Sequence, residues 1–168
     1  MSEPPGIAEA EGLDHELLVR FALIVIAYSN IEAQIAEFLS HLLEANHQSM
    51  YVLNQTVAAS TQLKWVRTLV EERAEHQEDR DRLTELFNRI QTLGEDRNAL
   101  VHGLWGSSPE PKTVLVQTIR LDRKEHLRDE LVTRSDLNDL LVEAKGIMAE
   151  LNEVSGQLWR AGPIPSAP

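Results

Sequence analysis

Three residues in one short stretch, Arg97-Asn98-Ala99-Leu100-Val101-His102-Gly103-Leu104-Trp105, carry the side chains from which this chain could build a reactive centre. Leu83, Leu86, Ile90, Leu93 and Leu100 follow the three-and-four spacing of a buried helix face, and Arg97 stands where that row calls for another Leu. An unpartnered guanidinium on an apolar stripe costs several kcal/mol at order of magnitude. Arg97 therefore needs a carboxylate, backbone carbonyls, a subunit interface with trapped water, or a bound anion. Asn98 and His102 are four residues apart and share a helix face beside it, and Gly103 is placed to end the helix. Metal-independent RNA cleavage uses such a set. The ribose 2′-hydroxyl attacks the adjacent phosphate, an imidazole moves protons, and a fixed guanidinium holds the phosphorane charge. The structural alternative is that His102 caps the carbonyls of the helix end while Arg97 pairs with Glu32 or Glu95.

The elements that must hold this stretch are mostly helical. Leu17, Phe21, Ile24, Tyr28, Ile31, Ile35, Phe38 and Leu42 recur at steps of four and three, with Leu18, Val25, Leu39 and Leu43 widening the stripe. The pattern predicts one long helix, a bundle helix or a seam shared with a second subunit. Asn46 to Gln48 closes it, and a short apolar piece runs from Met50 to Leu53. A second helix begins near Ser60, with Leu63, Val66, Leu69 and Val70 inward, and a third leads to Val101. After Gly103, the turn cluster Ser107 to Lys112 separates Leu104–Gly106 from the alternating, β-branched Val114–Leu121, which predicts a small hairpin. Asp122 to Thr133 is charged and shows no clear period. Ser135 is placed to cap a last helix carrying Leu137, Leu140, Ala144, Ile147, Leu151, Val154 and Leu158. Four helical stripes predict an all-α four-helix bundle with a small β-hairpin before the last helix. The domain spans residues 13–161, and the Pro-, Gly- and Ala-rich ends 1–12 and 162–168 read as disordered tails.

Charge narrows the partners. The net charge of −11 opposes nonspecific binding to nucleic acid or anionic membrane. It is uneven: residues 1–96 hold 7 Lys/Arg against 17 Asp/Glu, whereas residues 97–134 hold 7 against 5, so only the segment beginning at Arg97 is not acidic. With no cysteine the chain makes no disulfide and uses no thiolate, which fits a reducing cytoplasm. The sequence shows no secretory leader, and the apolar run Phe21 to Ala27 is short of a bilayer span, so no membrane partner is expected.

Other candidates are weaker. Glu44 and His47 have the Glu-x-x-His spacing of bundle di-metal proteins, but no second such pair exists, so a solvated helix end is the better reading and no cofactor or metal is expected. Trp65, Trp105 and Trp159 could stack bases, yet each lies on or beside an apolar stripe. Arg120, Arg123, Lys124 and Arg128 are interleaved with Asp122, Glu125, Asp129 and Glu130, the pattern of a solvated face.

Arg97 followed by a polar residue and then by His102, late in a helix of a small helical bundle, resembles the HEPN superfamily. The resemblance rests on Arg97, Asn98 and His102 and on the long first and last helices. It implies a homodimer whose two motifs face each other in one composite site. It further implies a metal-independent ribonuclease of a toxin–antitoxin or defence system, with His102 as acid and base, Arg97 as phosphate clamp and Asn98 as positioning group. An antitoxin or nucleotidyltransferase partner belongs to that picture, although the tyrosine that such transferases modify, two residues after the His, is Leu104 here. The superfamily also includes inactive members that serve as dimeric binding modules.

Overall fold

The computed structural model describes residues 15–74, 76–107, 113–120 and 126–161. The fold is all-α with a small antiparallel sheet before the last helix. In chain order it comprises α1 (His15–Leu42), α2 (His47–Thr56), α3 (Ala59–Arg73), α4 (Gln77–His102), β1 (Leu104–Ser107), β2 (Thr113–Arg120), β3 (His126–Thr133) and α5 (Arg134–Ala161). The four long helices fall where the apolar periods place them. The sequence-predicted tails, 1–12 and 162–168, lie outside the described residues.

Three local features differ from expectation. The piece around Met50 to Leu53 is a helix of its own, α2, capped by Asn46, whose Oδ1 accepts from Ser49 N at 2.9 Å. The charged stretch before α5 is a third strand: the sheet order is β1-β2-β3, both pairs antiparallel, with Leu104 opposite Gln117 and Val114 opposite Val132. The cap of α5 is Thr133 rather than Ser135. Thr133 N and Oγ1 both donate to Asp136 Oδ2 at 2.7 Å, and Asp136 N donates back to Thr133 Oγ1 at 3.2 Å, a reciprocal capping box.

By internal packing the described residues fall into two compact units, within Met1–Ile26 with Glu95–Val142, and within Ala27–Gly94 with Glu143–Pro168. The first has a core of Leu17, Ile24, Leu100, Val114, Val116, Val132 and Leu137, with Phe21, Trp105, Leu140 and Leu141 packed against it. Val114 and Val116 are two apart on β2 and so point to the same side, where Val132 joins them from β3.

The second unit buries Ile31, Ile35, Phe38 and Leu39 from α1, Leu63, Val66 and Val70 from α3, Leu86, Phe87, Ile90 and Leu93 from α4, and Ala144, Ile147, Leu151 and Val154 from α5. Phe38 and Phe87 meet edge to face at 6.2 Å. Arg89 ties α4 to α5 through Glu143 at 2.7 Å and Glu150 at 2.8 Å, and Arg82 extends the ladder to Glu150 and Glu153. These carboxylates, Glu143 first for Arg89 and Glu153 first for Arg82, push both guanidinium pKa values further up, so neither titrates in any working pH range.

α1 ends in a Schellman turn: Ala45 N donates to Ser40 O at 2.9 Å and Glu44 N to His41 O at 3.1 Å. Glu44 sits there with φ 53°, in the left-handed region that favours glycine. Because Glu44 has left the helix before α2 begins, Glu44 and His47 do not share a helix face. Glu44→Gly should stabilise the protein by about 0.5–1 kcal/mol, read as a higher urea midpoint at unchanged slope.

Candidate functional site

Arg97, Asn98 and His102 lie on the last two turns of α4, within the first unit. The helix stays regular through His102 because its end is anchored on both sides of that residue. Gly103 N donates to Ala99 O at 2.9 Å, and the Trp105 indole Nε1 reaches back from β1 to Leu100 O at 2.7 Å. These two donors satisfy carbonyls that a helix terminus otherwise leaves open. The Trp105 ring is held in turn by Phe21 of α1, edge to face with centroids 5.0 Å apart.

Gly103 is needed for space and not for a left-handed backbone. A Cβ there would come within 2.5 Å of Val116 Cγ1 and 2.6 Å of Ala99 O. The helix end is therefore pressed against β2, and the chain passes from helix to strand in a single residue.

The three predicted residues come together on this end. His102 is exposed, and its ring has no hydrogen bond among the described residues, so it does not cap the helix carbonyls. Asn98, one turn earlier, is exposed as well. Arg97 is half-buried beside buried Leu93 and Leu100, and its Nη1 donates to Asn98 Oδ1 at 2.9 Å. Asn98 thereby fixes one edge of the planar guanidinium, and the imidazole faces solvent on the adjacent turn. An anchored cation beside an accessible imidazole can hold an anionic phosphate and exchange protons with its neighbours.

Sequence reasoning missed Trp105 and Phe21 as parts of this scaffold. The available signal was the lone Gly between a helical pattern and an aromatic residue, a spacing that lets the indole fold back on the helix it follows. Trp65, 42% exposed on α3, is neither core nor part of this group. The Trp159 and Arg128 side chains, with Arg123 and Lys124, lie outside the described residues. Among the described residues no group of three or more His, Asp and Glu is placed to hold a metal ion. No protein-family model matches the chain, and no match was found among curated proteins or solved structures.

Proposed function

We propose that this chain is a HEPN-like, metal-independent endoribonuclease of the cytoplasm, acting as a homodimer in a toxin–antitoxin or defence system. The observation that carries the proposal is the solvent-facing His102 one turn beyond an Arg97 guanidinium held by Asn98. In this reading the His102 imidazole takes the proton of a ribose 2′-hydroxyl, and the 2′-oxygen attacks the adjacent phosphorus. The P–O5′ bond breaks, and an imidazolium returns a proton to the 5′-oxygen. Arg97 stabilises the charge that builds on the non-bridging oxygens. The products are a 2′,3′-cyclic phosphate and a 5′-hydroxyl end.

The competing reading, a noncatalytic dimeric interaction module on the same scaffold, is favoured by the net charge of −11, which repels RNA from much of the surface. Leu104, 64% exposed where the resemblance calls for Tyr, argues against control by tyrosine nucleotidylation.

Incubating the full chain with single-stranded RNA in excess EDTA separates the two. New 2′,3′-cyclic phosphate ends are expected from the nuclease. If the RNA stays intact at high enzyme concentration and low salt, the nuclease reading is wrong.

A further inference from the structure

Within the first unit, α1 leaves an apolar row uncovered. Leu18, Val19, Leu23 and Ile26 are 36, 43, 47 and 57% exposed, and Ala22 between them is exposed too. At 3.6 residues per turn, positions 19, 22, 23 and 26 share one side of the helix, opposite the buried Leu17 and Ile24. α5 extends the row. Glu16 pairs with Arg134, and Arg20 Nε donates to Asn138 Oδ1 at 2.7 Å. The equal steps along both chains show that the two helices run the same way. Leu23 and Val142 each follow the Arg20–Asn138 bond by one turn, and Val142 is 68% exposed.

The charge pattern narrows what can cover this row. No charged residue occurs between Arg20 and Glu32, and Arg20 itself is turned aside onto Asn138 and Glu16. Along that part of α1 a strongly basic partner finds no carboxylate to meet. α1 is long and apolar enough by length and composition to cross a membrane, so lipid is the rival occupant, but a chain of net charge −11 is repelled by anionic bilayers. Covering the row and Val142 on two copies removes on the order of 1,000 Å² from water, the lower end of specific protein interfaces. A partner with a smaller apolar patch falls short of that area, whereas a second copy brings an equal one.

We infer that this row is the seam between two copies of the chain, packed antiparallel about a two-fold axis between Ala22 and Leu23. That axis sets Val19 opposite Ile26 of the partner subunit, and the small Ala22 opposite Leu23 of the partner subunit, so each bulky side chain meets a gap or its complement. Parallel packing would instead set Glu16 against its own copy. The seam rests on the homodimer of the proposed function and deepens it by naming the face that joins the copies; its readout is mass, so its failure is distinguishable from a failure of RNA cleavage.

Sedimentation of the full chain tests it. The wild type should run at twice the 19.0 kDa chain mass. The double variant Leu23→Glu with Ile26→Glu should weaken the dimer at least ~100-fold while keeping its far-UV circular dichroism, since both positions face solvent in the single chain. Tyr51→Glu, 67% exposed in the second unit, should leave the mass unchanged. The chain has no cysteine, so Val19→Cys and Ile26→Cys can be tested singly and mixed, with copper phenanthroline as oxidant. The mixture should give more disulfide-linked dimer than either variant alone. A monomeric wild type, a double variant that stays dimeric, or flotation of the wild type with phosphatidylcholine vesicles overturns the seam, and the last result assigns the row to lipid.

Discussion

His102→Ala is expected to lower RNA cleavage in EDTA by about 10²–10⁴-fold, the usual loss when a positioned acid or base is removed. The fold should survive the change. His102 is exposed at the last position of α4, and the helix end is anchored by Gly103 N and Trp105 Nε1 and not by the imidazole. Its circular dichroism and melting temperature should therefore match the wild type. Arg97→Ala should cost about 10²–10³-fold, as the loss of one fixed donor to a developing oxyanion does. It should also destabilise by about 1 kcal/mol, because the arginine is half-buried and its stem is lost with the charge. Arg97→Lys keeps a charge but not the planar fork that Asn98 Oδ1 holds by one Nη, so it should rescue stability more than rate. Cleavage that persists undiminished in His102→Ala assigns the activity to some other group.

Gly103→Ala is the substitution with the largest expected effect on stability, about 1–3 kcal/mol. The added methyl group lands 2.5 Å from Val116 Cγ1 and 2.6 Å from the Ala99 carbonyl oxygen, the second being backbone that cannot turn away. Either α4 or β2 must move, and the Gly103 N to Ala99 O bond lengthens with it. Gly106→Ala is the matched control: nothing lies within 4 Å of a Cβ there, so its stability should stay within about 0.5 kcal/mol of the wild type. Urea titration of the two variants checks the difference. Equal midpoints would mean that the helix end is not pressed against the sheet.

The long helices were legible because apolar, buried residues repeat along each of them: Ile24, Ile31, Ile35, Phe38 and Leu42 on α1, and Leu137, Ala144, Ile147 and Leu151 on α5, are all buried. Widening the stripe failed at Leu18 and Leu43, both exposed, since period alone marks a face without saying how wide a neighbour covers it. The α1–α2 boundary was blurred because the Schellman turn uses Glu44 where glycine would have announced it. β3 was hidden by its charges. In His126–Thr133 the consecutive Arg128, Asp129 and Glu130, followed by the adjacent Leu131 and Val132, leave no alternation to read, so the strand is set by its pairing with β2 and not by a visible period. Thr133-Arg134-Ser135-Asp136 is a readable capping box two residues before the cap expected at Ser135. At the candidate site the three polar residues were legible, because a guanidinium in an apolar row and an imidazole one turn on are visible as sequence. The indole that folds back onto Leu100 O was not, since that contact depends on the turn at Gly103 and on Phe21, some eighty residues away.

The sheet is spliced into the helices with almost no slack: one residue separates α4 from β1, and β3 passes directly into α5. At these two junctions few independent torsions are left to fluctuate. The conformational entropy lost in setting His102 at its place is therefore incurred when the chain folds, and little of it is left to be lost when a ligand arrives. Amide exchange at the α4–β1 junction should accordingly follow the stability of the sheet as a whole and not that of a fraying helix end.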